Sequence, residues 1–177
     1  MSEETAYEPF VQDKVYDDKI AVYPGTFDPI TMGHMDIVTR SLEIFDKVII
    51  TVAINPAKSA LFSLEDRLQM IRDCFPGNEE RISVDYVDGL LVDYAYKRGA
   101  TAIVRGLRAV SDFEYEFQLA LMNRRMEREV ETVFLMTGLR WIYISSSIIK
   151  DVARHGGDIS GLVPDHVCEK LRHKFMT

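Results

Sequence analysis

The amino-acid sequence predicts a single-domain, doubly wound α/β fold built on a five-stranded parallel sheet. Short apolar or β-branched runs alternate along the chain with segments whose apolar residues recur at helical spacing. The runs are almost continuously apolar, as expected of strands that helices cover on both faces. This alternation implies right-handed crossovers between parallel strands. Such sheets bind ligands at the carboxyl ends of their strands, so the segments that follow the strands are the candidate site.

The strands are predicted from apolar runs that are too short to form helices of their own. The first run, KIAVY, stops at Pro24-Gly25, and the second is the β-branched run VIITVA. A brief run, AIV, is followed directly by Arg105, which this strand would deliver to the sheet edge. The predicted strands are 19–23, 48–53, 82–87, 102–104 and 132–135.

The helices are predicted from apolar residues spaced three or four positions apart. Val38, Leu42 and Phe45 form the first such stripe. At the start of the second helix, Ser63 followed by Asp66 resembles a capping box. The remaining predicted helices span about 64–71, 90–97, 112–128, 146–154 and 164–174.

Charge is concentrated at one end of the chain. The 177 residues carry a formal net charge of −7, of which residues 1–18 contribute −5 and the remainder −2. We expect residues 1–18 to be a flexible acidic extension and 19–177 to form the folded domain. The acidic balance argues against a nucleic-acid partner. It does not argue against a small polyphosphate bound in a local positive pocket.

Composition excludes several other classes of protein. The chain is 47% hydrophobic and 28% charged, which is close to the globular average. No apolar run approaches the roughly 18 residues of a membrane span, and the acidic N-terminus does not resemble a secretory signal. Two cysteines, Cys74 and Cys168, without a CxxC motif argue against a disulfide framework and a structural zinc site. We therefore expect a reduced, soluble, cytoplasmic protein with no membrane partner.

The segment after the first strand, GTFDPITMGH, carries the strongest chemical signal. Gly25 allows the backbone to turn, Thr26 offers a hydroxyl, and Gly33 and His34 open a helix. A phosphate there would meet the first N–H groups of the helix, its positive dipole end and an imidazole together. A lone histidine is more often a helix cap. The Gly-Thr and Gly-His pairs at a strand-to-helix junction favour a phosphate site instead.

GTFDP followed by TxGH resembles the signature of the nucleotidyltransferase superfamily, in which the second motif binds nucleotide phosphates. Three further segments narrow the resemblance, namely NPAK at 55–58, RGLRAVSDFEYE at 105–116 and ISSSIIK at 144–150. In this order and spacing, they resemble the bacterial phosphopantetheine adenylyltransferases over about residues 19–170. The resemblance implies a Rossmann-like nucleotidyltransferase fold.

The resemblance also implies a reaction, the reversible transfer of an adenylyl group from ATP to 4′-phosphopantetheine. The products are dephospho-coenzyme A and pyrophosphate, in the penultimate step of coenzyme A synthesis. The acceptor phosphate is already ionised at neutral pH, so in-line attack needs no general base, and catalysis comes from orientation and charge stabilisation. The family further implies Mg²⁺ held by the ATP phosphates and water rather than by protein ligands, and a homohexamer built as a dimer of trimers.

By the same resemblance, three residues are catalytic. His34 donates to the α-phosphate and stabilises the transition state, Lys58 supplies a positive charge, and Arg105 is aimed at the acceptor phosphate. The residues implied to bind the acceptor are Thr26, Lys58, Leu91 and Arg105. The residues implied to bind ATP are Thr26, Phe27, His34, Gly106, Leu107, Arg108, Glu116, Trp141, Ile142, Tyr143, Ile144, Ser145, Ser146 and Ser147.

Plain structural interpretations stay open for several of these residues. Lys58 also fits a solvated loop lysine, Leu91 a core residue at the start of a helix, and Glu116 an acid on a helix surface. Asp112 is expected to cap the long fourth helix. The chain departs from the family pattern at Met32, at Asn55 and over 137–140, and from the last of these we expect an ATP-facing loop of a different shape.

Two other functions compete with adenylyl transfer to phosphopantetheine. One is transfer to another phosphorylated acceptor, such as nicotinamide mononucleotide, which the RGLR and DFEYE segments disfavour. The other is ATP binding without turnover, which the presence of His34, Lys58 and Arg105 disfavours. Ser147 and Lys150 also match the SxxK motif of penicillin-binding enzymes, but neither SDN nor KTG occurs in the chain.

Overall fold

Helices cover both faces of a five-stranded sheet in the computed structural model, which describes residues 18–54 and 59–176. The strands are β1 (Ile20–Gly25), β2 (Lys47–Ala53), β3 (Ile82–Val87), β4 (Ala102–Leu107) and β5 (Glu131–Met136). The helices are α1 (Met32–Ser41), α2 (Leu64–Arg72), α3 (Leu91–Lys97), α4 (Val110–Met126), α5 (Ser146–Arg154) and α6 (Asp165–Met176). The predicted alternation of strands and helices is confirmed.

All neighbouring strands of the sheet are parallel, in the order β3-β2-β1-β4-β5. The chain runs outward from β1 to β3 and then crosses back to place β4 beside β1, so the doubly wound fold is confirmed. Successive side chains of β4 point to opposite faces. Ala102 and Val104 therefore join the larger core cluster with α1, whereas Ile103 packs with Val92 and Ala95 of α3.

The sheet opens between β1 and β4 at the carboxyl ends of these strands. Their pairing covers only Ala21 with Ala102 and Val22 with Ile103, whereas β1 pairs with β2 along its full length. Pro24 has no N–H to continue a ladder, and its carbonyl oxygen accepts instead from Nη1 of Arg105, at 3.3 Å. The crevice at the crossover point of the strand order is where this class of sheet binds ligands.

Several boundaries differ from those predicted by one to three residues, and two of these differences, in β4 and α4, concern residues named for the site. β4 continues through Arg105, Gly106 and Leu107, because their backbones pair with β5, although the residue types resemble a loop. α4 begins earlier, and its N-cap residue is Ala109 in an extended conformation without a side-chain cap. The expectation that Asp112 caps this helix is therefore wrong. Its carboxylate accepts instead from the backbone N–H and Nε of Arg108.

The predicted acidic extension, residues 1–18, lies outside the described residues except for Asp18. The Asp18 carboxylate accepts from Nζ of Lys47 at 2.6 Å, at the start of β2. Cys74 and Cys168 are both free thiols. Within the described part of the chain, no helix has the length and apolar character needed to cross a membrane.

Candidate active site

A cleft of about 750 Å³ lies at the carboxyl ends of β1 and β4. Its volume falls within the range of small-molecule sites, roughly 300–1,000 Å³. Most of its lining comes from four segments, which are the loop after β1, the first turn of α1, the end of β4 with the start of α4, and the first turn of α5. The N-termini of α1 and α5 both border the cleft, and N–H groups at such ends attract anions.

The loop after β1 is packed around one aromatic ring. Phe27 has a φ of 46° in the left-handed region, and its buried ring lies 5.5 Å from the ring of Tyr23 and 5.0 Å from that of His34, centroid to centroid. A Cβ added to Gly25 would lie 2.8 Å from the Phe27 ring. Gly25 is therefore needed for space, whereas the sequence suggested a turn. With its ring buried, Phe27 could meet a nucleotide only through its main chain.

His34 is both a cleft residue and a helix cap. Thr31 is the N-cap residue of α1, and its Oγ1 accepts from the backbone N–H of His34 at 3.4 Å. In return, Nδ1 of the His34 ring accepts from the backbone N–H of Thr31 at 3.0 Å. The capping alternative considered from the sequence is thus present, and the same ring lines the cleft.

The capping bond determines which nitrogen of His34 carries the proton. The Thr31 N–H can only donate, so Nδ1 must be an unprotonated acceptor and the neutral ring carries its proton on Nε2. Burial, with a smaller effect of the Arg108 charge, lowers the pKa of His34 to about 4. The ring is therefore neutral at pH 7 and has an Nε2–H group to donate.

Asp28 fixes the loop after β1 to two other parts of the chain. Its buried carboxylate accepts from the backbone N–H groups of Leu61 and Phe62, both at 2.9 Å, and from Nζ of Lys150 in α5, at 2.5 Å. Burial alone would raise the pKa of Asp28. The hydrogen bonds from Lys150, Leu61 and Phe62 outweigh this and lower the pKa. The neighbouring carbonyl oxygen of Thr26, a cleft residue, accepts from Nη1 of buried Arg67 at 3.0 Å.

Both arginines of the RGLR segment reach the cleft, and each is paired with a carboxylate of α4. Glu116 accepts from Nε of Arg105 at 2.7 Å and also from Nη2. Arg108 makes a single, more exposed pair with Asp112 at 3.3 Å. Asp112 and Glu116 are one helical turn apart and lie on the same side of α4. The two arginines therefore reach the cleft with carboxylates beside them.

The three serines at the start of α5 have different partners. Oγ of Ser145 accepts from the backbone N–H of Ile148 at 3.2 Å and caps the helix. Oγ of Ser146 donates to the carbonyl oxygen of Pro29 at 2.8 Å. Within the described residues, the Ser147 hydroxyl makes no such bond, and it lies exposed at the cleft wall. Of the three hydroxyls, it is the one that remains for a ligand.

The structure brings most of the residues named from the sequence together at this cleft. Those that line it are Thr26, Phe27, His34, Leu91, Arg105, Gly106, Arg108, Glu116, Ile144, Ser145, Ser146 and Ser147. Leu107 is buried instead, and its carbonyl oxygen accepts from the backbone N–H of Thr137. Trp141 packs behind Gly33, while Ile142 and Tyr143 are exposed away from the cleft lining. Lys58 lies outside the described residues.

The cleft residues that were not assigned to the site from the sequence include Tyr23, Asp28, Thr137 and Lys150. Asp28 and Lys150 stand inside the GTFDP and ISSSIIK motifs, so membership in a motif was a signal that could have identified them. Thr137 lies in the departure from the family pattern, where only a change of loop shape was expected. Nothing in the sequence marked Tyr23, a tyrosine inside an apolar strand.

Metal binding by the protein itself was not expected. Among residues 18–54 and 59–176, no group of three or more His, Cys, Asp or Glu side chains is arranged to hold a metal ion. The carboxylates at the cleft wall, those of Asp28, Asp112 and Glu116, are each paired with a cation of the chain.

Comparisons with known proteins place these features in a family. A family described as cytidylyltransferase-like matches residues 22–152. The phosphopantetheine adenylyltransferase of Desulfotalea psychrophila is 62% identical over 157 residues, which cover 88% of this chain and 92% of the relative. That of Desulfosudis oleivorans is 58% identical over 157 residues, covering 89% and 93%.

A solved structure shares the fold at lower identity. It is a bifunctional NMN adenylyltransferase/ADP ribose pyrophosphatase of Francisella tularensis, complexed with AMP and a Mn ion. It is 17% identical with a TM-score of 0.67, and the match covers 90% of this chain and half of that longer one. The Rossmann-like nucleotidyltransferase fold is confirmed. From its matching motifs, its cleft and these identities, the chain belongs to the phosphopantetheine adenylyltransferase family.

Proposed function

We propose that this chain transfers the adenylyl group of ATP to 4′-phosphopantetheine, giving dephospho-coenzyme A and pyrophosphate. The observation that carries the proposal is the 58–62% identity to phosphopantetheine adenylyltransferases over nearly nine-tenths of the chain. The reaction is reversible and is the penultimate step of coenzyme A synthesis. The cleft volume and its two helix N-termini support a ligand with several phosphates.

The chemical step is a direct displacement at the α-phosphorus of ATP. An oxygen of the acceptor phosphate forms the new P–O bond, the bond to the β-phosphate oxygen breaks, and its electron pair leaves with pyrophosphate. The acceptor is already ionised, so no proton has to be removed. The protein then has to align two anions and stabilise the charge of the transition state.

His34 is the residue we assign to transition-state stabilisation. Its neutral ring is fixed by the Thr31 N–H at Nδ1, which leaves Nε2–H as a donor toward an α-phosphate oxygen. A fixed donor does not have to reorganise as charge develops. The cap and the catalytic role therefore support each other, since the bond at Nδ1 sets the direction of the donor.

We assign the other residues of the site to one or other of the two substrates. We assign Arg105 with Thr26 and Leu91 to the acceptor, and Arg108 with the β4 backbone at Gly106 to ATP. Lys58 is proposed to supply a charge near the acceptor phosphate from its loop, which lies outside the described residues. The start of α5, through Ser147 and the free N–H groups of the first turn, is proposed to bind the ATP phosphates. Of the remaining ATP contacts named from the sequence, Phe27 and 141–146 stay proposals of the same kind, whereas the Glu116 carboxylate is paired with Arg105 and a direct contact with ATP is the alternative to a role through that arginine.

A divalent metal would accompany the nucleotide, and we propose Mg²⁺. The cleft carboxylates are already paired with cations of the chain. The ion would therefore be held by phosphate oxygens and water, which is a common arrangement for Mg²⁺ with nucleotides. When bound, it would neutralise part of the phosphate charge. The Francisella tularensis neighbour, crystallised with AMP and a Mn ion, supports a divalent metal at this fold.

We further propose a cytoplasmic homohexamer, a dimer of trimers, that binds neither nucleic acid nor membrane. Free thiols at Cys74 and Cys168 support a reducing compartment. α4 exposes several large apolar side chains, including Tyr115, Leu121 and Met122. Several large apolar side chains exposed on one helix support association with other copies. Sedimentation velocity tests the assembly, which predicts a single species of six chains and is contradicted by a stable monomer.

Pyrophosphate release with different acceptors tests the function. The purified chain is incubated with MgATP and either 4′-phosphopantetheine, dephosphorylated pantetheine or nicotinamide mononucleotide. We expect pyrophosphate release only when 4′-phosphopantetheine is the acceptor, together with formation of dephospho-coenzyme A. Turnover only with the nicotinamide nucleotide would contradict the proposed acceptor. ATP binding with background release for every acceptor would contradict catalysis.

A further inference from the structure

Arg105 and Glu116 face each other across the cleft wall, at the end of β4 and near the second turn of α4. The Glu116 carboxylate accepts from Nε and Nη2, which form one edge of the guanidinium. Both side chains are mostly withdrawn from solvent, with 26% of Arg105 and 14% of Glu116 exposed. Paired, two-point contacts of this kind fix geometry as well as charge.

A third bond completes the constraint on Arg105. Its Nη1 donates to the carbonyl oxygen of Pro24, at 3.3 Å, across the opening between β1 and β4. A guanidinium is planar and has five N–H donors. Among the described residues, these bonds use three donors and leave one N–H on each terminal nitrogen. The plane of Arg105 cannot turn without breaking bonds to two different elements.

The neighbouring arginine provides an internal contrast. The guanidinium of Arg108 bonds Asp112 through Nε alone, and the two side chains are more exposed, at 43% and 30%. An exposed single contact constrains a long side chain far less than a buried two-point contact. The same helix therefore fixes the orientation of Arg105 and leaves that of Arg108 freer.

We propose that Glu116 is a positioning residue that holds the Arg105 guanidinium so that its two remaining N–H donors meet the acceptor phosphate. This rests on the proposed function, which assigns that phosphate to Arg105. The negative charge of Glu116 opposes the approach of a phosphate, so the pair favours alignment at the expense of affinity. Glu116 then acts on the reaction through Arg105 rather than through a contact of its own with ATP.

A double-mutant cycle separates these two roles of Glu116. The rates of the wild type, Glu116→Gln, Arg105→Ala and the double variant are measured with 4′-phosphopantetheine and MgATP. We expect Glu116→Gln to lower kcat by about ten- to a hundredfold, as misalignment does, with little change in KM for ATP. In the Arg105→Ala background, the same substitution should change kcat less than about twofold. Equal losses in both backgrounds, or a raised KM for ATP with unchanged kcat, would overturn the inference.

Two further variants and a binding measurement guard against a purely structural effect. Glu116→Asp keeps the charge but shortens the reach, so kcat should still fall. Glu114→Gln makes the same charge change on an exposed site of α4 and should leave kcat unchanged. Calorimetric titration with 4′-phosphopantetheine alone should show Glu116→Gln binding at least as tightly as the wild type. Weaker binding, or a full rate for Glu116→Asp, would overturn the positioning role.

Pyrophosphate release by the wild type distinguishes a failure of the proposed function from a failure of the positioning role of Glu116. If the wild type releases no pyrophosphate with 4′-phosphopantetheine, the proposed function fails and this inference fails with it. If the wild type is active and Glu116→Gln and Arg105→Ala lower kcat independently of each other, only the positioning role of Glu116 fails.

Discussion

The two walls of the cleft are held in different ways. The β1 wall comprises residues 23–31 and the first turn of α1, and the β4 wall comprises residues 105–108 with Asp112 and Glu116. Hydrogen bonds with main-chain groups predominate at the β1 wall, through Asp28, Arg67 and the reciprocal cap of Thr31 and His34, and Asp28 also pairs with Lys150. Ion pairs between side chains fix the β4 wall, at Arg105 and Arg108.

This difference suggests that the two walls have different roles when substrates bind. A ligand phosphate cannot replace a backbone amide that is bonded inside the fold, so groups on the β1 wall keep their direction when substrates bind. It can share an arginine with a carboxylate, because the guanidinium has N–H donors that the carboxylate does not use. The proposed donor for the transition state thus lies on the wall held by main-chain groups, and the arginines proposed to bind the substrates lie on the wall held by side-chain ion pairs.

Removing the His34 donor should have the largest effect on the reaction. His34→Ala should lower kcat by about a hundred- to a thousandfold, the usual cost of losing one transition-state donor, while ATP binding changes little. Pyrophosphate release and ATP titration measure the two quantities. His34→Asn keeps an acceptor for the Thr31 N–H, so it should lose turnover but keep stability.

His155, an exposed histidine at the end of α5, supplies the matched control. His155→Ala should behave as the wild type. A rate near that of the wild type for His34→Ala would remove the catalytic role from the β1 wall.

Breaking the Asp28 network should have the next largest effect, on stability. Asp28→Asn should lower the free energy of unfolding by about 2–3 kcal/mol, below the full cost of a broken buried pair because Lys150 is partly exposed. Urea denaturation measures the free energy of unfolding, and Asp88→Asn, at an exposed position, is the control. A loss equal to that of the control would show that the β1 wall does not depend on this carboxylate.

The same carboxylate predicts a pH dependence. The folded-state pKa of Asp28 is lowered, so its stabilisation is present above the unfolded value of about 3.9 and is lost as pH falls through the folded value. The stability difference between wild type and Asp28→Asn should therefore shrink below about pH 4. A difference that stays constant down to pH 2 would contradict the ionised pair.

Two serines at the start of α5 should have smaller effects, one on ATP binding and the other on stability. Ser147→Ala should raise KM for ATP by about tenfold, because a hydrogen bond to a charged group is lost, and leave stability unchanged. Ser145→Ala should lower the free energy of unfolding by about 1 kcal/mol through loss of the cap, with a smaller effect on KM. Steady-state kinetics and denaturation on both variants test the assignment, which the reverse pattern would contradict.

The protonation state of the His34 ring tests the hydrogen bond between this ring and the Thr31 N–H on the β1 wall. We expect an imidazole that is neutral at pH 7 with its proton on Nε2, and a pKa near 4. Because this folded value lies below the unfolded value of about 6.5, stability should rise with pH between the two. Nitrogen NMR of the ring reports both tautomer and pKa. A proton on Nδ1, or a titration near pH 6.5, would contradict the capping bond.

The sequence predicted the fold well because its strands are nearly pure apolar runs. The predicted limits of β3 and α5 coincide with those observed. β4 was predicted too short because Arg105 and Gly106 resemble loop residues, while the pairing that keeps them in the sheet comes from β5. Backbone pairing with a distant strand leaves no local pattern in the sequence.

The composition of the site was predictable from motifs, but its internal bonds were not. The TxGH and RGLR segments led to His34 and Arg105, and both reach the cleft. The partner of Arg105 depends on how α4 packs beside β4, which spacing along the chain does not specify. The contact of Asp28 with Leu61 and Phe62 joins loops more than thirty residues apart for the same reason.

The central claim is a direct transfer between aligned substrates, without a covalent intermediate on the protein. The most direct test uses one diastereomer of ATP with sulfur on the α-phosphate, with 4′-phosphopantetheine as the acceptor. Phosphorus NMR then gives the configuration of the thiophosphate product. A single in-line displacement predicts inversion at phosphorus. Retention would mean two displacements through an adenylylated residue such as His34, and it would contradict the account.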